Sequence, residues 1–254
     1  PQLTGAANGH GGALLLNGAT IRIPPARAGA VRVQSASAVV ESTASAAPKL
    51  GLAAAFYHGM GNTNNYVKTT GNPGIWYDSS GNGRHFSAVT DGNSPVMLAT
   101  GVVYTINSQT LNAPTGFVRG NGPMTVVVRA TPVDNTGSVG YLFTGGVTGD
   151  GALLARYNGQ LIGYDPTYFA GGAGSNIASG EPAVVAAVFN GSNSSVWKNG
   201  AKISTVNAGT PSGSGLMSIG NYAGIYAWRG AIQMVLIYRR ALTAAELAHM
   251  NGWF

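Results

Sequence analysis

Short runs of β-branched and aromatic residues recur along the chain, and polar turn residues separate them. In residues 124–130 the side chains alternate, so Val126 and Val128 face one side while Val127 and Arg129 face the other. Alternation of this kind is typical of a strand with one face in the core and one in water. The same reasoning predicts strands over residues 101–106, 124–130, 138–144, 153–157, 161–164, 183–189, 194–198, 216–219 and 232–238.

Tight turns are indicated by the repeated dipeptide Asn-Gly, because both residues tolerate the positive φ that two-residue hairpin loops need. The dipeptide begins at Asn8, Asn17, Asn82, Asn121, Asn158, Asn190, Asn199 and Asn251. Closely spaced turns between short strands predict an all-β fold, an antiparallel jelly-roll β-sandwich.

One short C-terminal helix is predicted over residues 243–250. Thr243 and Glu246 have the spacing of a capping box, in which each side chain bonds to the other residue's backbone N–H. Leu242, Leu247 and Met250 form an apolar stripe, and Gly252 provides a stop signal.

Residues 1–48 differ from the remainder and predict an extended, low-complexity N-terminal arm, followed by one domain over residues 49–254. Two short β-rich runs, 20–23 and 30–33, suit strand addition to a partner's sheet. The alternative is a strand within the arm's own domain. The predicted partner-binding residues are Ile21, Arg22, Ile23, Arg27, Val31, Arg32 and Val33.

Composition excludes several classes of protein. The chain is 44% hydrophobic and only 9% charged, with a formal net charge of +6 and no cysteine. The basic residues are scattered, which argues against nucleic-acid binding. No apolar run approaches the ~18 residues that cross a bilayer, so we expect no membrane insertion. No signal peptide is recognised at the start, and the sequence therefore gives no sign of secretion, although the absence of cysteine leaves the compartment open.

Several segments resemble the laminin-G-like branch of the concanavalin-A-like lectin/glucanase jelly rolls. They are WYDSSGNGRH (76–85), PMTVVVRA (123–130), AVFNGS (187–192), VWKNG (196–200), residues 216–220 and WRGAIQMVLIYRRALTAAEL (228–247). The last segment is the most specific. The resemblance implies a sandwich closed by a strand that ends in Tyr238 and by a capped helical turn.

Individual residues in these segments have structural interpretations. Trp197 is expected to anchor the core or a cross-strand pair. Asp78 is expected to accept backbone N–H bonds in an Asx-type turn, with a hard-cation ligand as the alternative. Arg239 and Arg240 are expected to be solvated or paired with Glu246.

Catalysis is not expected. A glucanase needs paired carboxylates, whereas Glu41, Glu181 and Glu246 are far apart in the sequence. The four histidines lack metal-ligand spacing. No cofactor is predicted. Calcium stays open because loops can converge in a sandwich, but no residues are assigned to it.

Carbohydrate binding is a more specific hypothesis than calcium binding, because it can be assigned to particular residues. Aromatic side chains beside polar groups occur in two connections that we expect to share one rim, with loop packing as the alternative. The candidate glycan-binding residues are Tyr164, Asp165, Tyr168, Tyr222, Tyr226 and Trp228.

Two functions follow from these observations. In overall character the chain resembles a bacteriophage virion protein, either a capsid decoration (cement) protein or part of a fibre. This predicts a location on the virion surface, other virion proteins as partners and docking through the arm. The alternative is a carbohydrate-binding adhesion module that contacts host glycans. A homo-oligomer fits either function.

Overall fold

A computed structural model describes residues 21–23, 40–42, 47–58, 65–133, 139–145, 153–164, 168–170, 175–206, 215–222 and 226–253. The chain divides into two compact units, one of Pro1–Ala47 with Gly252–Phe254 and one of Pro48–Asn251. In the first, strand β1 (Ile21–Ile23) pairs in parallel with β2 (Val40–Ser42). A strand therefore exists where the sequence predicts one at residues 21–23, and it pairs within its own segment. The other predicted arm residues, Arg27, Val31, Arg32 and Val33, lie outside the described residues.

The second unit is a sandwich of two antiparallel sheets. Its earlier strands are β3 (Leu52–Tyr57), β4 (Tyr66–Val67), β5 (Ile75–Trp76), β6 (Phe86–Ser87), β7 (Val96–Leu98), β8 (Gly101–Tyr104) and β9 (Leu111–Asn112). The later strands are β10 (Met124–Pro132), β11 (Gly140–Thr144), β12 (Leu153–Tyr157), β13 (Gln160–Tyr164), β14 (Tyr168–Ala170), β15 (Ala183–Phe189), β16 (Ser194–Lys198), β17 (Ala201–Val206), β18 (Ser218–Ile219) and β19 (Gly230–Tyr238).

The first sheet has the strand order β17-β16-β15-β10-β19-β8-β7, with β3 also paired to β19. The second has the order β14-β13-β12-β11-β18-β9-β6-β5-β4. Apolar side chains from both sheets form one core between them. This architecture confirms the predicted antiparallel jelly-roll-type sandwich.

The central strands of the first sheet are buried on both faces, which corrects the prediction that Val127 faces water. Val127 and its cross-strand neighbours Ala186 and Leu236 are fully buried, although they point away from the core of Val126. On this outer face the Thr125 hydroxyl donates to Arg240 O and accepts from Leu242 N. The segment that leads into the C-terminal helix is thereby attached to the outer face of the sheet.

Two of the Asn-Gly turns behave as predicted. Asn158 and Asn199 have φ of 47° and 50°, and the glycine after each also has positive φ. These pairs form the two-residue loops between β12 and β13 and between β16 and β17. At Asn190 the chain instead enters a short 3₁₀ turn, Gly191–Asn193.

The predicted helix is α1 (Ala244–Ala248), and its capping box is confirmed. The Thr243 hydroxyl accepts from Glu246 N, while the Glu246 carboxylate accepts from Thr243 N. Glu246 also forms a two-point ion pair with Arg240, at 2.6 and 2.9 Å. The helix ends at Ala248, and the 3₁₀ turn Met250–Gly252 follows. No helix in the described part of the chain is long and apolar enough to cross a membrane.

Candidate functional site

Three tyrosine rings meet where β11 begins and where the chain approaches β19. The ring centroid of Tyr141 lies 5.0 Å from that of Tyr222 and 5.8 Å from that of Tyr226. Tyr226 is 41% exposed, and Tyr141 and Tyr222 are half-buried. We call these three residues the tyrosine cluster. It presents apolar ring surface and phenolic hydroxyls to solvent at one end of the sandwich.

Backbone hydrogen bonds fix the position of the tyrosine cluster. Tyr226 N donates to Tyr222 O at 3.3 Å, and Tyr141 N donates to Tyr226 O at 3.2 Å. The chain turns toward this end at Gly220, whose φ of 84° is in the left-handed region. The rings are therefore attached to the start of β11, an interior strand of the second sheet.

One charged group, Arg229, lies close to the tyrosine cluster in the sequence, directly before the start of β19. Arg229 is exposed, and its Nη1 donates to Thr105 O at 3.3 Å. Aromatic surface together with a few fixed polar groups is the usual composition of a small-ligand site.

Trp228 does not belong to the exposed site, which corrects its prediction as a surface platform. It is only 1% exposed and lies within the core. The Arg156 guanidinium carbon lies 5.6 Å from the centre of its ring. Trp228 N donates to Gly220 O at 2.7 Å, which attaches the backbone at this residue to the turn after β18.

The second predicted aromatic group does not share this rim, so the prediction of a common rim is wrong. Tyr164 pairs with Tyr168 across the β13–β14 hairpin and with Leu153 of β12, which in turn pairs with Thr144. Thr144 and Tyr141 lie toward opposite ends of β11. Asp165 lies outside the described residues.

Asp78 forms the predicted Asx-type turn. Its Oδ1 accepts from Ala55 N and Ser80 N, and its Oδ2 accepts from Arg84 N and the Ser80 hydroxyl, all at 2.8–3.0 Å. Burial raises the pKa of Asp78, but these hydrogen bonds outweigh it and hold the pKa below its usual value. Both carboxylate oxygens are therefore occupied: three of the hydrogen bonds close the turn, and the one from Ala55 joins it to β3.

No group of three or more His, Asp or Glu side chains that could hold a metal occurs within the described ranges. A separate shallow cavity of about 230 Å³ lies on the first sheet, lined by Arg129, Pro182, Ala183, Val184, Asn199 and Asn251.

The anchoring role predicted for Trp197 is confirmed: it is buried opposite Ala186, and its indole N–H donates to the Ser195 hydroxyl at 2.9 Å.

Comparison with known proteins agrees with this architecture. The family described as the concanavalin A-like lectin/glucanases superfamily matches residues 107–248, which is more than half of the chain. The chain belongs to this superfamily. The matched region of this lectin/glucanase-type chain contains all three members of the tyrosine cluster. No curated protein matches the sequence.

Solved structures share the fold of this superfamily member at low sequence identity. A Trypanosoma rangeli sialidase in complex with the inhibitor DANA has a TM-score of 0.60 and 16% identity over 81% of this chain, which spans 33% of the sialidase. Domain 4 of an extracellular GH43 arabinanase from Geobacillus stearothermophilus, in complex with arabinotriose, has a TM-score of 0.51 and 17% identity. That match covers 78% of this chain and 96% of the domain.

The binding domain of botulinum neurotoxin serotype G has a TM-score of 0.54 and 13% identity, and the match covers 80% of this chain and 50% of that domain. At such identities these matches show the fold alone. The chain spans only about a third of the length of the sialidases.

Proposed function

We propose that the protein is a non-catalytic carbohydrate-binding module and that the tyrosine cluster is its sugar-binding surface. The observation behind this proposal is the convergence of Tyr141, Tyr222 and Tyr226 at one end of a lectin-type sandwich, with Tyr226 41% exposed. A sugar ring has apolar C–H faces and a polar rim, so exposed phenolic rings can match both.

The fold supports the same proposal. The arabinanase domain, almost all of which this chain covers, was solved with arabinotriose bound. Arabinotriose is therefore a rational first probe, since it is a short neutral oligosaccharide.

Three of the four carboxylate side chains that the structure describes are held by partners, and the fourth, Glu181, has no free carboxylate to pair with among them, which supports a non-catalytic role. Glycoside hydrolysis needs a pair of carboxyl groups available to the substrate. Glu246 is held by Arg240 and by the helix cap, and Asp78 is saturated by its own turn. Asp91 is paired with Lys68 at 2.5 Å.

Calorimetric titration of oligosaccharides, beginning with arabinotriose, tests this function. Tyr226→Ala is expected to weaken binding by about tenfold, or about 1.4 kcal/mol, because it removes the most exposed ring of the cluster. Tyr77→Ala is the matched control, since Tyr77 is 40% exposed and packs on His85, outside the cluster. Equal effects of the two substitutions, or no affinity of the intact chain for any oligosaccharide, would contradict the proposal.

Attachment to a virion through residues 1–48 stays a prediction from the sequence. None of the relatives reported above is a virion protein. Deletion of residues 1–48 would test it, because a docking arm is required for attachment but not for glycan binding.

A further inference from the structure

Three arginines from distant parts of the sequence meet at the end of the sandwich opposite the tyrosine cluster. Arg84 follows the Asp78 turn, Arg119 precedes β10, and Arg239 follows β19. The guanidinium carbons of Arg84 and Arg239 lie 4.5 and 5.0 Å from the ring centre of the same residue, Phe117. Phe117 itself is buried.

Main-chain carbonyl groups hold these guanidinium groups in place. Arg84 Nη1 donates to Ala53 O at 2.9 Å, and Arg239 donates to Val118 O and Arg119 O. Such bonds fix the orientation of a guanidinium group while leaving its charge intact. Each guanidinium has five N–H donors, so both keep donors for a ligand.

No carboxylate of the described residues neutralises Arg84 or Arg239. The ion pairs within those ranges join Lys68 to Asp91 and Arg240 to Glu246. Within the described ranges, Arg240 has an acidic partner in Glu246, and its sequence neighbour Arg239 has none. The expectation that these two arginines are solvated or paired with Glu246 is confirmed, since Arg239 is exposed and Arg240 pairs with Glu246.

We call Arg84, Arg119 and Arg239 the arginine cluster. Their positive charges repel one another. Burial lowers the pKa of Arg239, and the nearby positive charges of Arg84 and Arg119 lower it further. Both arginines stay charged at neutral pH, and both remain accessible, with Arg84 half-buried and Arg239 exposed. A bound anion would relieve this repulsion.

We propose that Arg84 and Arg239, beside Phe117, bind one carboxylate or sulfate group of an acidic carbohydrate. Planar guanidinium groups bind such oxyanions through two parallel hydrogen bonds. The choice of a carbohydrate as the carrier rests on the proposed function, whereas the anion site does not. The two sites are separate, because β19 has nine residues and its ends lie about 27 Å apart.

The test is calorimetric titration of the full chain with three probes at about 0.15 M ionic strength. The probes are a sulfated dextran oligosaccharide, the same oligosaccharide without sulfate, and inorganic sulfate. The sulfated sugar is expected to bind about tenfold more tightly than either other probe. Arg84→Gln and Arg239→Gln are each expected to weaken that binding about tenfold.

Lys202→Gln is the matched control, since it removes one positive charge from the exposed side of β17. An equal loss in Lys202→Gln would overturn the site in favour of diffuse charge attraction. Equal affinity for inorganic sulfate and the sulfated sugar would overturn the carbohydrate assignment. Arg239→Lys gives a second test if Arg84→Gln does not fold, because it keeps the charge and loses the planar fork.

The two proposals can fail separately. Loss of sulfated-sugar binding in the arginine variants, together with no effect of Tyr226→Ala on neutral sugars, would support the anion site and contradict the tyrosine site. The opposite pattern would support the tyrosine site and contradict the anion site.

Discussion

At the scale of single residues, Trp228 and Tyr226 show how burial separates neighbouring aromatic side chains. Tyr226 is 41% exposed, whereas Trp228 is buried in the core and its ring lies next to the Arg156 guanidinium group. The sequence indicates an aromatic-rich connection but not which ring turns inward, since that depends on the bridge between Tyr141 and Ala227. Tyr141 escaped prediction for the same reason: it lies within a strand, and only strand pairing brings it to Tyr226.

Trp228→Ala is expected to destabilise the fold rather than to remove binding selectively. Truncating a fully buried indole leaves a cavity, and the expected loss is about 3–5 kcal/mol in the free energy of unfolding. Urea denaturation measures it. Tyr226→Ala is the comparison and is expected to cost about 1 kcal/mol or less, because its ring is exposed. Similar losses in both variants would show that Trp228 is not a core residue.

Gly220→Ala tests the turn that leads to the tyrosine cluster. A Cβ at Gly220 would overlap the buried ring of Tyr104, in addition to the cost of its φ of 84°. The control is Gly83→Ala, since Gly83 has φ of 67° and open space around it. We expect about 1–2 kcal/mol for the control and roughly 2 kcal/mol more for Gly220→Ala. Equal unfolding midpoints would contradict the steric argument.

At the scale of elements, the C-terminal helix depends on one glutamate. Glu246 caps the helix through Thr243 and also pairs with Arg240. The hydrogen bonds from Arg240, opposed by burial and aided by those from Thr243, lower the pKa of Glu246 from 4.5 to about 2. Ionised Glu246 therefore stabilises the fold fully above about pH 4.5, and this contribution is lost as pH falls toward 2.

Glu246→Gln is expected to lower stability by about 1–2 kcal/mol at pH 7, with little effect near pH 2. Thermal unfolding at both pH values measures this difference. Glu181→Gln is the matched control, because Glu181 is exposed and has no side-chain partner among the described residues. A loss that did not shrink in acid would show that the carboxylate charge is unimportant.

Strand prediction succeeded where turn signals and β-branched residues coincide, as in β15 and β16, whose bounds match the predicted ones. It failed for β3, whose centre is Ala53, Ala54 and Ala55. Alanine has low intrinsic strand preference, so this strand depends on pairing with β19. The strands β4, β5 and β6 have two residues each, too few for a periodic signal.

At the scale of the whole molecule, the second unit contains its own complete core. All residues of the described hydrophobic core belong to this unit. The arginine cluster could not be predicted, because Arg84, Phe117 and Arg239 are distant in sequence and meet only after both sheets close. The fold class and the family were predictable, since both depend on local strand and turn patterns.

Removal of residues 1–47 is expected to leave the sandwich folded. Pro48–Asn251 forms a compact unit by itself. The expected change in melting temperature is no more than a few degrees, or about 1 kcal/mol for a chain of this size. Calorimetry of the full and shortened chains measures it, and unfolding of the shortened chain at room temperature would contradict the prediction.

The burial of the indole rings has a spectroscopic consequence. Each of the chain's four tryptophans is at most 9% exposed. Native emission should therefore be blue-shifted and resist quenching by acrylamide, and it should shift to the red when the core opens to water. The tyrosine cluster contains no indole, and neither does the arginine cluster. Tryptophan fluorescence is thus a specific reporter of unfolding in this protein, and ligand titrations should leave it nearly unchanged.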